Sequence, residues 1–210
     1  MLRIVFSEEK SSAGGPAIFI DRDGVINCRR PGDYVLDWSQ FIFMPGMRTA
    51  LKQIASLGLP MIVISNQAAV GKGLLDLKGL QEITAQMHQA LVADGTSLSA
   101  VYYCTHRPDE NCICRKPKPE LLRRAADDFN IDLSRSIFIG DSETDLRAAR
   151  AAGCASVVFG PGLTNHSESE DWLTDLPVAL VAEDLFDVVA KSLQGRGMRD
   201  HAVRYTGSGT

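Results

Sequence analysis

The chain has 210 residues, the length of one α/β domain, and 45% of them are hydrophobic, enough for a sizeable core. A formal net charge of −4 argues against a nucleic-acid partner, and no apolar run approaches the roughly 20 residues that span a membrane. The first 16 residues contain acids and no long apolar stretch, so they do not resemble a signal peptide. We therefore expect a cytoplasmic enzyme or binding protein. We also expect a monomer, since no coiled coil or long apolar surface helix stands out in the sequence.

Short apolar runs typical of strands alternate with helical patterns along the chain. The predicted strands are residues 17–20, 60–65, 100–103, 136–140, 155–159 and 178–181. The predicted helices are residues 47–58, 77–95, 119–129 and 144–153. This alternation predicts a Rossmann-like α/β fold, in which a parallel sheet carries helices on both faces.

The ends of the chain differ in composition from its middle. Residues 1–15 and 195–210 are rich in Gly, Ser and charged side chains, so we expect both segments to be frayed. Residues 16–194 then form a single domain.

Acidic residues follow two of the predicted strands. Asp21 and Asp23 come directly after one strand, with Gly24 next, and Asp141 and Asp145 follow a later one. Parallel sheets bind ligands beyond the carboxyl ends of their strands, so these carboxylates should meet at one edge. Each acid alone is typical of a turn or a helix start. Together they favour a site for Mg²⁺, which prefers carboxylate and water ligands.

Four soft metal ligands lie within eleven residues of the middle of the chain. They are Cys104, His106, Cys112 and Cys114, spaced C-x-H-x5-C-x-C. Three thiolates and an imidazole form the closed tetrahedral shell of a structural Zn²⁺. We therefore predict a zinc-binding loop at residues 104–114, too short to be a large cap domain. The alternative is a set of free, buried cysteines that act as small hydrophobic residues.

Four motifs resemble, in order, those of the haloacid dehalogenase-like (HAD) phosphohydrolases. They are D-x-D-G at residues 21–24, Ser65 in VISNQ, Lys116 in CRKPKPE, and Asp141 and Asp145 in GDSETD. The resemblance covers residues 17 to about 160. It implies that the Asp21 carboxylate, the Asp23 carbonyl oxygen and Asp141 bind Mg²⁺, and that Asp145 supports them.

The same resemblance implies that a phosphate ester is hydrolysed in two steps. Asp21 would attack the phosphoryl group and form an aspartyl-phosphate. Asp23 would protonate the leaving alcohol and then deprotonate the attacking water. Ser65 and Lys116 would bind the phosphoryl oxygens together with Mg²⁺.

Further motifs are similar to those of the subgroup that contains the heptose-bisphosphate and the histidinol-phosphate phosphatases. They are DRDGVIN, SNQ, YYCxH and CxCRKPKP. The residues implied to bind substrate are Arg29, Tyr34, Asn66, Gln67 and Arg115. The segments that flank these motifs favour a heptose bisphosphate. The spacing of five residues between His106 and Cys112 favours histidinol phosphate, which stays the alternative.

A sugar bisphosphate requires more cations than a monoester does. Those predicted near the site are Arg22, Arg29, Arg30, Arg115 and Lys118. A second alternative, a nucleic-acid 3′-phosphatase, should have a basic groove with aromatic side chains, which an isoelectric point of about 5.6 and 7% aromatic residues do not favour. A further alternative is a non-catalytic zinc-binding interaction module. Such a module does not require the acidic motifs, so their presence argues against it.

Overall fold

The computed structural model describes residues 1–7, 14–30, 33–160, 176–179 and 181–194. The strands in these ranges are β1 (Leu2–Val5), β2 (Ile18–Ile20), β3 (Met61–Asn66), β4 (Ala100–Cys104), β5 (Ile137–Gly140), β6 (Ala155–Phe159) and β7 (Val178–Ala179). The α-helices are α1 (Met47–Ala55), α2 (Ala68–Gly71), α3 (Leu77–Ala93), α4 (Glu120–Phe129), α5 (Glu143–Ala152) and α6 (Ala182–Gln194).

The strands form one sheet in the order β1-β4-β3-β2-β5-β6-β7, and all neighbours from β4 to β7 are parallel. Successive side chains of a strand point to opposite faces. Ile18 and Ile20 pack into one core with α1, α3 and α6, whereas Phe19 packs into a second core with α4 and α5. This arrangement confirms the predicted parallel sheet with helices on both faces.

The strand β1 places Leu2–Val5, which are part of the segment predicted to be frayed, in the sheet. Leu2 lies opposite Tyr103 and Val5 opposite Ala100, so β1 extends the sheet as an antiparallel edge strand. Its apolar side chains pack against the two cores, and this burial offsets the entropy lost on ordering four residues. The predicted tail at 195–210 lies outside the described residues.

Three strands bring polar residues to one edge of the sheet. Asp21 follows β2, Ser65 lies near the end of β3, and Asp141 follows β5. Because β2 is hydrogen-bonded to both β3 and β5, these three residues lie at the ends of adjacent strands. Among the described residues, no inserted domain stands above this edge, and no helix is long and apolar enough to cross a membrane.

Candidate active site

A buried lysine joins two carboxylates at the floor of the site. Lys116 Nζ lies 2.8 Å from Asp21 Oδ1 and 2.6 Å from Asp145 Oδ1, and it donates a hydrogen bond to the Ile64 carbonyl oxygen. Burial alone would lower the pKa of Lys116, but Asp145 and Asp21 outweigh it and raise that pKa. Lys116 is therefore a fixed positive charge.

Asp141 adds a third carboxylate to this floor. Oxygen atoms of Asp21, Asp141 and Asp145 all lie within 4.8 Å of one another. Burial raises the pKa of Asp21 to about 6, against the attraction of Lys116. Burial, and then the Asp21 charge, raise the pKa of Asp141 to about 7. Three close carboxylates, of which Asp21 and Asp141 have raised pKa values, form a set of hard oxygen donors that suits a divalent cation.

Gly24 allows Asp141 to approach the turn after β2. A Cβ atom on Gly24 would lie 1.8 Å from Asp141 Oδ2, so any other residue here would force the Asp141 carboxylate to move. Gly24 also has a φ of +98°, in the region that favours glycine. The glycine of the D-x-D-G motif is thus required both by its conformation and by the position of Asp141.

Five hydrogen bonds from three side chains hold the Asp23 carboxylate. Arg22 Nη2 lies 2.9 Å from each carboxylate oxygen, and Arg22 Nε donates to Oδ1 as well. Asn27 Nδ2 donates to Oδ1 at 2.9 Å and Gln67 Nε2 donates to Oδ2 at 2.7 Å. Burial would raise the pKa of Asp23, but Arg22 and the two amides outweigh it and lower that pKa. The Asp23 carboxylate is therefore held in its ionised form.

Arg22 itself is not available to a substrate, which corrects the sequence-based expectation. Its side chain is only 1% exposed, and its guanidinium lies 5.8 Å from the centre of the Tyr103 ring. Its role in the structure is to pair with Asp23.

Three consecutive polar residues at or just after the end of β3, Ser65, Asn66 and Gln67, make different contacts. Ser65 lines the cavity above Asp21, and Asn66 lines it too. Asn66 also binds the main chain of Lys116 through both ends of its amide. Gln67 is buried beside them and donates to Ser65 Oγ at 3.1 Å as well as to Asp23.

The cavity has a volume of about 420 Å³, and its rim carries several cations. The residues of its rim are Arg29, Arg30, Asp33, Tyr34 and Arg115. Arg30 forms an ion pair with Asp33 at 3.0 Å, and Arg115 Nη1 is buried without a hydrogen-bond partner in the structure. Four predicted substrate-binding residues therefore lie around one cavity, namely Arg29, Tyr34, Asn66 and Arg115.

Lys118 differs from the prediction because it points away from this cavity. Its Nζ donates to the Asn111 carbonyl oxygen, to Asn111 Oδ1 and to the Cys112 carbonyl oxygen at 3.1, 3.0 and 2.7 Å. It therefore fixes the end of the Cys/His loop.

The four predicted zinc ligands come together in that loop. Cys112 Sγ lies 3.5 Å from Cys104 Sγ and 3.7 Å from Cys114 Sγ, and His106 Nδ1 lies 3.2 Å from Cys114 Sγ. Sulfur ligands placed tetrahedrally at about 2.3 Å from one ion lie about 3.8 Å apart. These spacings therefore suit a tetrahedral metal site.

The Cys/His loop also packs against the segment that follows β3. A Cβ atom on Gly71 of α2 would lie 2.7 Å from both the Thr105 carbonyl oxygen and the Arg107 nitrogen. The loop then leads through Arg115 directly to Lys116. An ordered loop thus positions both a cation of the rim and the lysine of the floor.

Asp145 has a second role that the sequence signals but that we did not predict. Its carboxylate accepts hydrogen bonds from the Ser142 N–H at 3.1 Å and from Ser142 Oγ at 2.6 Å, which forms a capping box at the start of α5. The pattern S-x-x-D before a helix is the signature of such a cap. Asp145 therefore ties Lys116 to the first turn of α5.

Comparison with known proteins agrees with this geometry. The family described as HAD-hydrolase-like matches residues 113–188. The D-glycero-beta-D-manno-heptose-1,7-bisphosphate 7-phosphatase of Helicobacter pylori (strain J99) is 41% identical over 169 residues, which are 75% of this chain and 96% of that protein. The chain belongs to the heptose-bisphosphate phosphatase family of HAD-like hydrolases. It is thus a phosphoric monoester hydrolase.

Other members of the heptose-bisphosphate phosphatase family are also similar to this chain. The D-glycero-alpha-D-manno-heptose-1,7-bisphosphate 7-phosphatase of Mycobacterium bovis is 39% identical over 152 residues, 68% of this chain and 78% of that protein. The crystal structure of the D,D-heptose 1,7-bisphosphate phosphatase of B. bronchiseptica, complexed with magnesium and phosphate, has a TM-score of 0.74 and 29% identity. The aligned region covers 84% of this chain and 99% of the B. bronchiseptica chain.

Proposed function

We propose that this enzyme removes the 7-phosphate of a D-glycero-D-manno-heptose 1,7-bisphosphate and releases the heptose monophosphate. The observation that carries the proposal is the cavity above Asp21, with Lys116 at its floor and arginines at its rim. The floor suits the phosphoryl group that is transferred, and the rim suits a second phosphate on the same sugar. The names of its relatives supply the sugar.

The first step is the attack of an Asp21 carboxylate oxygen on phosphorus. A bond forms between this oxygen and phosphorus, and the bond from phosphorus to the sugar oxygen breaks. Lys116 contacts Oδ1 of Asp21, so we assign the attack to Oδ2. For this step Asp23 must carry a proton taken up from solvent, against the preference of the free site for its ionised form, and it passes that proton to the leaving oxygen. Ser65 and Lys116 hold the phosphoryl oxygens during the transfer.

The second step is the hydrolysis of the aspartyl-phosphate on Asp21. Asp23, now ionised, takes a proton from a water molecule, whose oxygen attacks phosphorus and frees the Asp21 carboxylate. Arg22, Asn27 and Gln67 favour the ionised form of Asp23, which is the form that this step uses.

The donor sets support two metal ions. The Asp21 and Asp141 carboxylates and the Asp23 carbonyl oxygen would hold Mg²⁺, with Asp145 in support through Lys116 and Ser142. Bound there, Mg²⁺ would neutralise negative charge on the transferred phosphoryl group. The four Cys/His ligands of residues 104–114 would hold Zn²⁺ in a closed shell, which orders the loop.

Histidinol phosphate is the second candidate substrate, because the Cys/His loop has only five residues between His106 and Cys112. The deciding experiment compares kcat/KM for both anomers of the heptose bisphosphate with kcat/KM for histidinol phosphate. A heptose preference of tenfold or more, about 1.4 kcal/mol in the barrier, supports the proposal. A kcat/KM that is tenfold or more higher for histidinol phosphate overturns the assignment of the sugar.

The chemistry is tested separately by Asp21→Asn. We expect the variant to fold and to lose at least about 10³-fold in kcat, because no carboxylate is left to attack phosphorus. Asp127→Asn, at an exposed position of α4, is the matched control. Full activity of Asp21→Asn would exclude the covalent step. We further propose that the enzyme is a cytoplasmic monomer, which light scattering and cell fractionation test.

A further inference from the structure

One arginine of the rim contacts the oxygens to which the proposed function assigns Mg²⁺. Arg29 Nη2 donates a hydrogen bond to Asp141 Oδ1 at 2.8 Å, and the same nitrogen lies 3.5 Å from the Asp23 carbonyl oxygen. The Asp141 carboxylate is 16% exposed, whereas the Arg29 side chain is 53% exposed. The guanidinium can therefore leave without unpacking the core.

A metal ion and this guanidinium compete for the same oxygens. Mg²⁺ binds carboxylate and carbonyl oxygens at about 2.0–2.1 Å and demands near-octahedral geometry. The Arg29 nitrogen that is hydrogen-bonded to Asp141 Oδ1 uses one lone pair of that oxygen and so competes with a metal ion for it. Two cations at this distance also repel each other strongly in a partly buried site.

We propose that Arg29 is a built-in counter-ion that the metal displaces, and that the displaced guanidinium then binds a phosphate of the substrate. The proposal rests on the metal site of the proposed function. It predicts that metal and anion bind cooperatively, since each favours the position of Arg29 that the other requires.

The surroundings of Arg29 show where the displaced group can go. Arg29 lies between the polar cavity above Asp21 and a second cavity of about 620 Å³, whose wall includes Met44, Pro45 and Phe159. An anion is poorly solvated beside these apolar side chains, whereas the polar cavity already holds Lys116 and Ser65. The guanidinium therefore meets a phosphate in the polar cavity, where arginine can bind it through two hydrogen bonds.

Arg30 supplies a contrast because its charge is already used. It pairs with Asp33 at 3.0 Å, and it has no contact with Asp141 in the structure. Replacement of Arg30 removes the same charge from the rim but leaves the oxygens of the metal site unchanged. It is therefore the matched control for Arg29.

The test is calorimetric titration of the zinc-loaded protein with Mg²⁺, with and without saturating inorganic phosphate, for the wild type, Arg29→Met and Arg30→Met. Without phosphate, we expect Arg29→Met to bind Mg²⁺ about fivefold more tightly than the wild type, because the competing cation is gone. Arg30→Met should change this affinity less than about twofold. Phosphate should increase the Mg²⁺ affinity of the wild type. The ratio of the affinities with and without phosphate should be about fivefold smaller in Arg29→Met.

Unchanged or weaker Mg²⁺ binding by Arg29→Met, or an equal change in Arg30→Met, overturns the proposal. Arg29→Ala repeats the test with a smaller side chain, and circular dichroism verifies that each variant folds. Asp141→Asn separates the two proposals, since it should abolish Mg²⁺ binding. If Asp141→Asn keeps the wild-type affinity, the metal site of the proposed function is wrong. If it loses the affinity while Arg29→Met changes nothing, only the role of Arg29 is wrong.

Discussion

The Asn66 side chain forms two hydrogen bonds with the main chain of Lys116, one through each end of its amide. Asn66 Nδ2 donates to the Lys116 carbonyl oxygen at 3.2 Å, and the Lys116 N–H donates to Asn66 Oδ1 at 3.1 Å. Asn66 ends β3, and Lys116 follows the Cys/His loop, so the pair joins two separate segments of the site. The position of the Lys116 ammonium group depends on this link.

Asn66→Ala should therefore lower kcat more than it raises KM. Lys116 loses its main-chain anchor, and displacement of a charged group by about 1 Å can cost about 10²-fold in rate. Steady-state kinetics with the heptose bisphosphate measures both constants, and Gln53→Ala, at an exposed position of α1, is the control. A rise in KM with kcat unchanged would mean that Asn66 acts by direct contact with the substrate.

Lys116→Met should destabilise the protein strongly in magnesium-free buffer. The variant leaves Asp21 and Asp145 buried without the cation that both contact. Removal of one member of a buried ion pair lowers the free energy of unfolding by about 3–5 kcal/mol, which urea denaturation measures. Lys78→Met removes an exposed partner of Glu82 and should change it by less than about 0.5 kcal/mol. Similar losses in the free energy of unfolding for Lys116→Met and Lys78→Met would contradict the role of Lys116 as the buried counter-ion of Asp21 and Asp145.

Gly24→Ala should abolish magnesium-dependent activity, because the new methyl group would collide with Asp141 Oδ2. Gly58→Ala is the matched control: Gly58 also has a positive φ, of +68°, but no atom lies within 4 Å of the Cβ position. It should lower the free energy of unfolding by about 1–2 kcal/mol and leave kcat unchanged. Magnesium-dependent hydrolysis and urea denaturation of both variants test this difference. Equal activity losses would show that backbone strain, and not the collision, is responsible.

Asp141→Asn should stabilise the metal-free protein at high pH. Since the pKa of Asp141 is raised from 3.8 to about 7, the folded protein binds this proton more tightly than the unfolded chain does. Its contribution to stability is present at low pH and is lost as the pH rises through about 7. Near pH 8 we expect the variant to melt about 3 °C above the wild type, and less than that near pH 5. A lower melting temperature of the variant at high pH would contradict the raised pKa.

Cys112→Ser should reduce the zinc content and the melting temperature, and lower kcat far less than Asp21→Asn does. The loop positions Arg115 and Lys116 but supplies no reacting group, so we expect a loss of about tenfold in kcat. Elemental analysis, thermal denaturation and kinetics measure the three effects. Cys28→Ser is the control, because Cys28 lies outside the four-ligand cluster. Loss of activity as complete as in Asp21→Asn would indicate a metal with a direct role in the reaction.

The sequence pattern predicts the sheet edge and its acids well, because buried parallel strands are continuous apolar runs and their ends are punctuated by Asp21 and Asp141. It does not predict which charges pair. Arg22 beside two acids reads as an exposed cation, yet the Asp23 carboxylate and the Tyr103 ring compensate for its burial. It also misses β1, since three half-buried residues and the exposed Arg3 lack the run of buried positions that marks the inner strands.

The Cys/His loop is held in place at both ends, whereas its middle stretch, residues 107–111, lies at the surface. Cys104 belongs to β4, and Lys118 holds the carbonyl groups of Asn111 and Cys112. All residues of the stretch 107–111 are exposed, and the stretch contains the short 3-10 turn Pro108–Glu110. Exposed loops tolerate insertions and deletions, so this stretch can differ in length and sequence among relatives. Such changes can alter substrate preference without moving Asp21, Lys116 and Asp145 at the floor of the site.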